Sequence, residues 1–509
     1  MTIEQSIKQQ EQALETPLKP PSLLDALFPT LTLIALLSLS VYLFGDDSSY
    51  GSNQIVLIIS ALVAAIVGMK NGLSWNQLES AMHQGIAIAL GAILILLAVG
   101  MLIGSWILSG TVPTMIYYGL QLLDPGWFYA ASCLMCAMVS VCIGSSWTTA
   151  GTVGIGLMGI AAGFGLSPEI TAGAIISGAY FGDKLSPLSE TTNLAPAVTG
   201  VELFDHIRHL SWTTIPSFII AMSAFIWLGM GEQVASGGGE MDAMIAVLDQ
   251  QFNVSGWLLL PLLAVLLLAW LRVPALASIL IGALLGALMA LLLQRDNVVA
   301  FAAAPELALG LQLFKGIWTS FYDGYQATTG NEVIDKLLSR GGMSSMLNTV
   351  WLILCAMVFG AVMERTGLLA RLIRGVLGMV NSTGSLIVAT IGTCIGTNVV
   401  AADQYISIIL PGRMFKVEFA RRGLSPLNLS RTIEDGGTIT SPLIPWNTCG
   451  AYMAGTLGVA TLAYLPYAFF NLLGPLVAII YGYCNIKIAR IEQTETPELM
   501  NGEDLRPSV

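Results

Sequence analysis

Ser177-Gly-Ala-Tyr-Phe-Gly-Asp-Lys-Leu-Ser-Pro-Leu-Ser-Glu-Thr-Thr-Asn193 starts inside an apolar run and then gathers two carboxylates, a proline and several hydroxyls. Gly182 and Pro187 loosen a helix and free backbone carbonyls. In a lipid environment such irregular backbone is tolerated only when it is buried in protein or lines a water-filled cavity. A second stretch has the same make-up: Glu434-Asp-Gly-Gly-Thr-Ile-Thr-Ser-Pro-Leu-Ile-Pro-Trp-Asn447 sets carboxylates before a Gly-Gly break and a Thr, Ser and Asn cluster after it.

The two stretches belong to an internal repeat. Cys142-Ile-Gly-Ser145 recurs as Cys394-Ile-Gly-Thr397, Gly165-Leu-Ser-Pro168 as Gly423-Leu-Ser-Pro426, and Ser186-Pro-Leu188 as Ser441-Pro-Leu443. The offsets are 252, 258 and 255 residues, in the same order. Loop charge gives the relative orientation, because Lys and Arg mark the cytoplasmic side of a membrane protein. The loop after Gly110 has no base up to Trp127, whereas its counterpart near Gly367 carries Arg365, Arg371 and Arg374. No base lies between Gly144 and the first GLSP, but Arg413, Lys416, Arg421 and Arg422 precede the second. The repeats are therefore expected to be inverted. Inverted repeats whose broken helices meet near the bilayer midplane are a common plan of secondary transporters.

Composition agrees. Of 509 residues only 10% are charged, against roughly 25% in a soluble protein, so an ordinary soluble enzyme is excluded. A crossing needs about 20 mostly apolar residues. Runs of that kind fall near 23–44, 54–70, 84–109, 126–143, 146–165, 169–190, 211–230, 254–271, 274–294, 345–364, 381–398, 403–419, 428–452 and 461–485. The expected fold is an all-α polytopic membrane protein of two inverted repeats, with about 12–14 membrane segments, some of them broken helices or re-entrant hairpins. Residues 1–22 form an expected cytoplasmic tail, 23–230 the first half, 231–253 an external loop, 254–485 the second half and 486–509 a cytoplasmic tail. No cleavable signal peptide is expected, since the first apolar run is too long for an h-region. The net charge of −11 argues against a nucleic-acid partner, which would call for a basic stripe. Cys133 and Cys136 lack the further ligands of a zinc site and read as helix packing. No phosphate loop, nucleophile elbow or H-E-x-x-H motif occurs, and no cofactor is expected.

The candidate site is built from the polar breaks. Asp183, Glu190 and Asp435 supply carboxylates, Ser186, Thr192, Thr440 and Ser441 hydroxyls, and Asn193, Asn398 and Asn447 amide oxygens. Hard oxygen donors of this kind suit a sodium ion, and Asp183, Asp435 and Asp403 are the sodium candidates. Asp435 is favoured over Glu434 as the cavity-facing carboxylate because it adjoins the break. The bland alternatives are specific. Asp183 and Lys184 would be an interfacial ion pair, Glu190 would sit at the membrane edge, and Asp403 would be a helix N-cap. Intramembrane carboxylates usually mark ion paths or proton relays. One that binds sodium when ionised and a proton when neutral has the competition that antiport requires. Glu364 reads as a cytoplasmic pair with Arg365, and His206 and His209 as a solvated membrane-edge cluster. The aromatic stretch 311–325, with Lys315, reads as an interfacial segment.

Gly178-Ala-Tyr-Phe-Gly-Asp-Lys-Leu-Ser-Pro-Leu-Ser-Glu-Thr-Thr-Asn-Leu-Ala-Pro196, Gly144-Ser-Ser-Trp-Thr-Thr-Ala-Gly-Thr-Val153, Thr397-Asn-Val-Val-Ala-Ala-Asp-Gln-Tyr405 and the stretch from Glu434 to Asn447 resemble the NhaC family of sodium/proton antiporters. The likeness spans about Leu23 to Lys487. It implies a carrier of the bacterial inner membrane with a scaffold region and a mobile transport region, in which a homodimer would be ordinary. It leaves the substrate open, because the family also embraces sodium-coupled carriers of malate and lactate, and amino-acid transporters. The leading expectation is a secondary transporter, not an enzyme, that exchanges cytoplasmic Na+ for external H+ by alternating access at midplane carboxylates. Li+ is a further candidate ion. The alternative is sodium- or proton-coupled transport of an organic solute, a dicarboxylate or an amino acid. Half-helix N-termini near Asn193 and Asn447 would then hold a substrate carboxylate.

Overall fold

The computed structural model describes residues 19–231, 238–329, 334–335, 338–377 and 380–491. The outer parts of both expected tails, and 232–237 of the expected external loop, lie outside these residues. Apart from one β-bridge between Leu424 and Arg490, the regular structure described is helical.

The first half holds α1 (Leu23–Phe44), α2 (Ser52–Lys70), α3 (Trp75–Leu108), α4 (Thr111–Leu122), α5 (Phe128–Ile143), α6 (Ser146–Phe164), α7 (Pro168–Leu185), α8 (Glu190–Thr199) and α9 (Leu203–Met230). The second half opens with α10 (Gly238–Gln251), α11 (Leu260–Trp270), α12 (Ala275–Leu293), α13 (Arg295–Ala302) and α14 (Leu309–Tyr322). It continues with α15 (Leu347–Arg365), α16 (Leu368–Leu377), α17 (Thr383–Ala401), α18 (Gln404–Arg421), α19 (Pro426–Ile433), α20 (Thr448–Leu457), α21 (Thr461–Tyr467) and α22 (Phe469–Cys484).

Among the described residues nine helices are long and apolar enough to cross a membrane, and two bent pairs raise the number to eleven. The remaining three apolar runs, near 169–190, 403–419 and 428–452, carry the polar and Gly/Pro-broken sequence, and their helices start or stop at those breaks. Starts are set locally. Ser22 and Asp25 form a reciprocal capping box at α1, and Ser74 and Gln77 form another at α3, each satisfying helix-end donors that would otherwise be unpaired. The stretch expected at the interface is α14, which exposes Leu311, Phe314, Trp318 and Tyr322 at helical spacing.

Two groups of helices emerge. In one, α3 packs against α12 and α15, and α2 against α1 and α15. In the other, α5 lies against α7, α9 against α22, and α17 against α18 and α22. The α5–α7 contact is the closest because Gly178 and Gly182 meet the Cys133 and Ala137 carbonyls, leaving no room for a Cβ. Small residues at such crossings let membrane helices approach through dispersion contacts. Cys133 and Cys136 are buried in this seam, and all seven cysteines are free.

The first and last described residues share one face. The Lys19 amide donates to the Asn71 carbonyl (3.2 Å), and the Ile491 amide to that of Gly423 (3.0 Å). Lys70 pairs with Asp25 at 2.6 Å, Pro20 and Pro21 lie beside Arg371 and Arg374, and Arg422 donates to the carbonyls of Val380 and Ser382. Two expectations fail here. His206 is buried and shares a 2.7 Å hydrogen bond with the Ser430 hydroxyl, because the start of α9 packs on α19 rather than standing at a solvated edge. Glu364 forms no ion pair among the described residues, although Arg365 follows it.

Candidate functional site

Both halves contain a helix, a polar break and a shorter helix. In the first, α7 stops at Leu185 ahead of Pro187, and α8 starts after Ser189, whose hydroxyl accepts the Thr192 amide. The break is tied to itself. Ser186 Oγ accepts the Leu188 amide (3.3 Å), Thr192 Oγ1 donates to the carbonyls of Asp183 (3.1 Å) and Lys184 (3.2 Å), and Asn193 Nδ2 donates to those of Pro187 and Ser189. Thr192 thus replaces partners that the end of α7 loses, and Ser186 and Asn193 tie the break itself.

In the second half α19 runs into a π-helical turn, Glu434–Thr438, then a short 3-10 turn, Ser441–Leu443, and α20 follows after Asn447. Thr440 Oγ1 donates to the Gly436 carbonyl (2.6 Å) and Ser441 Oγ to that of Thr438 (2.7 Å). Asn398 Nδ2 donates to the Gly437 carbonyl (2.7 Å) and to Thr440 Oγ1 (3.1 Å). Asn447 caps α20 through the Cys449 amide (3.0 Å) and donates to Asn398 Oδ1 (3.1 Å). The amides and hydroxyls expected to bind an ion are therefore engaged in holding the break open.

The two breaks meet. Lys184 Nζ forms an ion pair with Asp435, both fully buried, and Thr213 Oγ1 of α9 donates to the same carboxylate at 3.0 Å. Lys184 reaches across the repeat rather than pairing with its neighbour Asp183. Asp183 instead accepts from the Ser146 amide (3.2 Å) and hydroxyl (2.6 Å) at the start of α6.

A cavity of about 590 Å³ opens between the two helix groups. Asp183, Glu190 and Asp403 line it, with Ser145, Ser146, Trp147, Gln404 and Tyr405 on the same side and Ile88 to Ile95 of α3 and Arg272 opposite. Asp403 is both a cavity carboxylate and the N-cap of α18, its Oδ1 accepting from the Tyr405 (2.9 Å) and Ile406 (3.0 Å) amides. The chain reverses just before it through left-handed Ala402 (φ 57°), six residues beyond the Gly396 that aligns with Gly144. Glu190 accepts the Tyr405 hydroxyl at 2.5 Å.

The three sodium candidates are thus divided. Asp183 and Asp403 share the cavity, while Asp435 is withdrawn into its ion pair. Among the described residues no group of three or more His, Cys, Asp or Glu side chains is placed to hold a metal ion. Ser186, Thr192, Asn193, Asn398, Thr440, Ser441 and Asn447 lie outside the cavity lining. Sequence reasoning missed Thr213, Arg272 and the donor role of Ser146. Arg272 was visible as a base between two apolar runs, whereas nothing in the sequence brings Thr213 to Asp435.

Residues 178–486 match the profile of the Na+/H+ antiporter family. The chain is 43% identical over 437 residues to the Na(+)/H(+) antiporter NhaC of Alkalihalophilus pseudofirmus, covering 86% of this chain and 91% of that one. It is 39% identical to an uncharacterized Na(+)/H(+) antiporter of Haemophilus influenzae, covering 93% and 98%. It is also 36% identical to the malate-2H(+)/Na(+)-lactate antiporter of Bacillus subtilis, covering 84% and 89%. Matched along most of its length at these identities, the chain belongs to the Na+/H+ antiporter family.

Proposed function

We propose that this chain exchanges cytoplasmic Na+ for external H+ by alternating access. The observation that carries this reading is the cavity between the two helix groups, into which Asp183, Glu190 and Asp403 project from three separate elements. An ionised carboxylate there attracts a cation, and a protonated one releases it, so one site serves both ions in turn. The paired breaks, joined through Lys184 and Asp435, supply a unit that can shift against the group built on α3, α12 and α15. The expected inversion of the two repeats gives that unit two equivalent ways to pack.

The orientation follows from charge. Lys19, Lys70, Arg371, Arg374 and Arg422 gather on the face that also receives both ends of the described chain. By the positive-inside rule that face is cytoplasmic, in a bacterial inner membrane.

A second reading, coupled transport of an organic anion, draws on Arg272. It is an exposed cation lining a cavity of about 590 Å³, within the roughly 300–1,000 Å³ typical of small-molecule sites. The relative named for malate and lactate points the same way. Purified protein in liposomes with an internal pH-sensitive dye separates the readings. Dissipation of a pH gradient by Na+ or Li+ alone supports antiport. A response only when malate, lactate or an amino acid is also present supports the solute carrier.

A further inference from the structure

Of the paired carboxylates in the second break, Asp435 is occupied and its neighbour is not. Glu434 is fully buried, and neither of its carboxylate oxygens has a hydrogen-bond partner among the described residues. One further orphaned atom belongs to the same turn, and another to a residue bonded to the backbone just beyond it. Thr438, four residues on, stands beside Glu434, and its Oγ1 meets no partner at hydrogen-bond geometry. Asn471 of α22 reaches in from the side. Its Nδ2 donates to the Ile439 carbonyl (2.7 Å) while its buried Oδ1 receives nothing.

A charged group buried without a partner costs several kcal/mol. Three orphaned oxygens on one turn, with a fourth on the Asn471 amide that bonds the next residue's carbonyl, imply a missing occupant, and their character says which kind. Both Glu434 oxygens and Asn471 Oδ1 can only accept when Glu434 is ionised, and Thr438 Oγ1 alone can donate. Such a set calls for a positive ion and rejects an anion. The protein's own cations do not fill the role. Lys184 is committed to Asp435, and Arg431 donates through Nη1 to the Lys487 carbonyl (3.1 Å), while its Nε and Nη2 are unpaired and form no bond to Glu434. The turn itself is π-helical, a local insertion often found at functional sites. Gly436, against Ile391 and Cys394, and Gly437, against Ser407, hold its other side in close contact with α17 and α18.

We propose that Glu434, Thr438 and Asn471 coordinate an alkali cation, Na+ or Li+, at the π-helical turn, a site separate from the carboxylates that line the cavity. The inference rests on the reading that the chain moves sodium. The ion would pass from the cavity carboxylates to this inner site, held by one formal charge and neutral oxygens.

Equilibrium binding of radioactive Na+ to the full-length protein in detergent tests this, with Na+-dependent thermal stabilisation as a second readout, since a ligand that binds only the folded state raises its stability. Glu434→Gln is expected to lose the Na+ bound at this turn and to keep that bound at the cavity carboxylates, so the bound stoichiometry falls. Thr438→Val should raise the half-saturating Na+ concentration about tenfold, roughly 1.4 kcal/mol, and Thr438→Ser, which keeps the oxygen, should restore it. Wild-type stoichiometry in Glu434→Gln together with wild-type affinity in Thr438→Val would overturn the site while leaving antiport intact. If Glu434→Gln does not fold, the Val and Ser pair decides alone, and equal affinities in that pair overturn the site. Absence of Na+ binding and of Na+-driven proton flux in the wild type would overturn both readings.

Discussion

Lys184, in the last turn of α7, is ion-paired with Asp435 in the π-helical turn, and neither side chain reaches solvent. The contact joins two residues 251 positions apart, one from each broken segment. Removing one member of a buried pair leaves an uncompensated charge, which costs about 3–5 kcal/mol, whereas replacing both with apolar groups is often neutral. Lys184→Met and Asp435→Leu are each expected to lower the thermal midpoint in detergent sharply, and the double variant to recover most of the loss. Additive losses in the double variant would show that the two groups are not coupled.

Asp183 occupies a different setting, buried but lining the cavity and held by two donors from Ser146. An asparagine offers one carbonyl oxygen to the same donors but no charge. Asp183→Asn should therefore fold with an unchanged thermal midpoint and show no Na+-driven proton flux in liposomes. Full activity would remove Asp183 from the ion path.

Tyr405 donates to Glu190, both lining the cavity, from the first turn of α18 to the first turn of α8. Glu190 is exposed, so water competes for its carboxylate and the bond adds little to stability. Tyr405→Phe is expected to leave the midpoint almost unchanged and to alter the half-saturating Na+ concentration several-fold. An unaltered Na+ dependence would confine Glu190 to the surface.

The helix ends and the membrane class were legible because they rest on local signals. The apolar run at 23–44 gives the bounds of α1, and Pro187 and the Gly436-Gly437 pair mark the two breaks. The partners were not legible. Adjacency suggested Asp183 for Lys184, but α7 turns the two side chains about 100° apart, so Lys184 faces the second break while Asp183 faces α6. Preference for Asp435 over Glu434 rested on distance from the break along the chain. In a π turn neighbouring side chains also point apart, and the one nearer the break found the lysine. His206 failed for a related reason, since polarity along α9 does not reveal that α19 covers its start.

Glycines separate close packing from mere flexibility. An added Cβ on Gly178 would collide with the Cys133 carbonyl, whereas Gly396, within α17, has no atom within 4 Å of that position. Gly178→Ala is expected to destabilise by about 1–3 kcal/mol, the range for overpacking a close contact. Gly396→Ala should stabilise by up to about 1 kcal/mol through helix propensity. Thermal midpoints of the two variants check this, and equal shifts would mean that the α5–α7 seam yields without cost.

Asp403 has two roles, cavity carboxylate and N-cap of α18, and one pair of variants tells them apart. Asparagine caps a helix about as well as aspartate, whereas alanine loses about 0.5–2 kcal/mol at such a position. Oδ1 alone receives both amide donors, so Asp403→Asn keeps the cap and removes only the charge. The asparagine variant is expected to keep the wild-type thermal midpoint and lose at least tenfold in Na+-driven proton flux. The alanine variant should lose both stability and flux. If the asparagine variant transports at the wild-type rate and only the alanine variant fails, Asp403 serves α18 as a cap, and the ion path in this cavity passes by Asp183 and Glu190 alone.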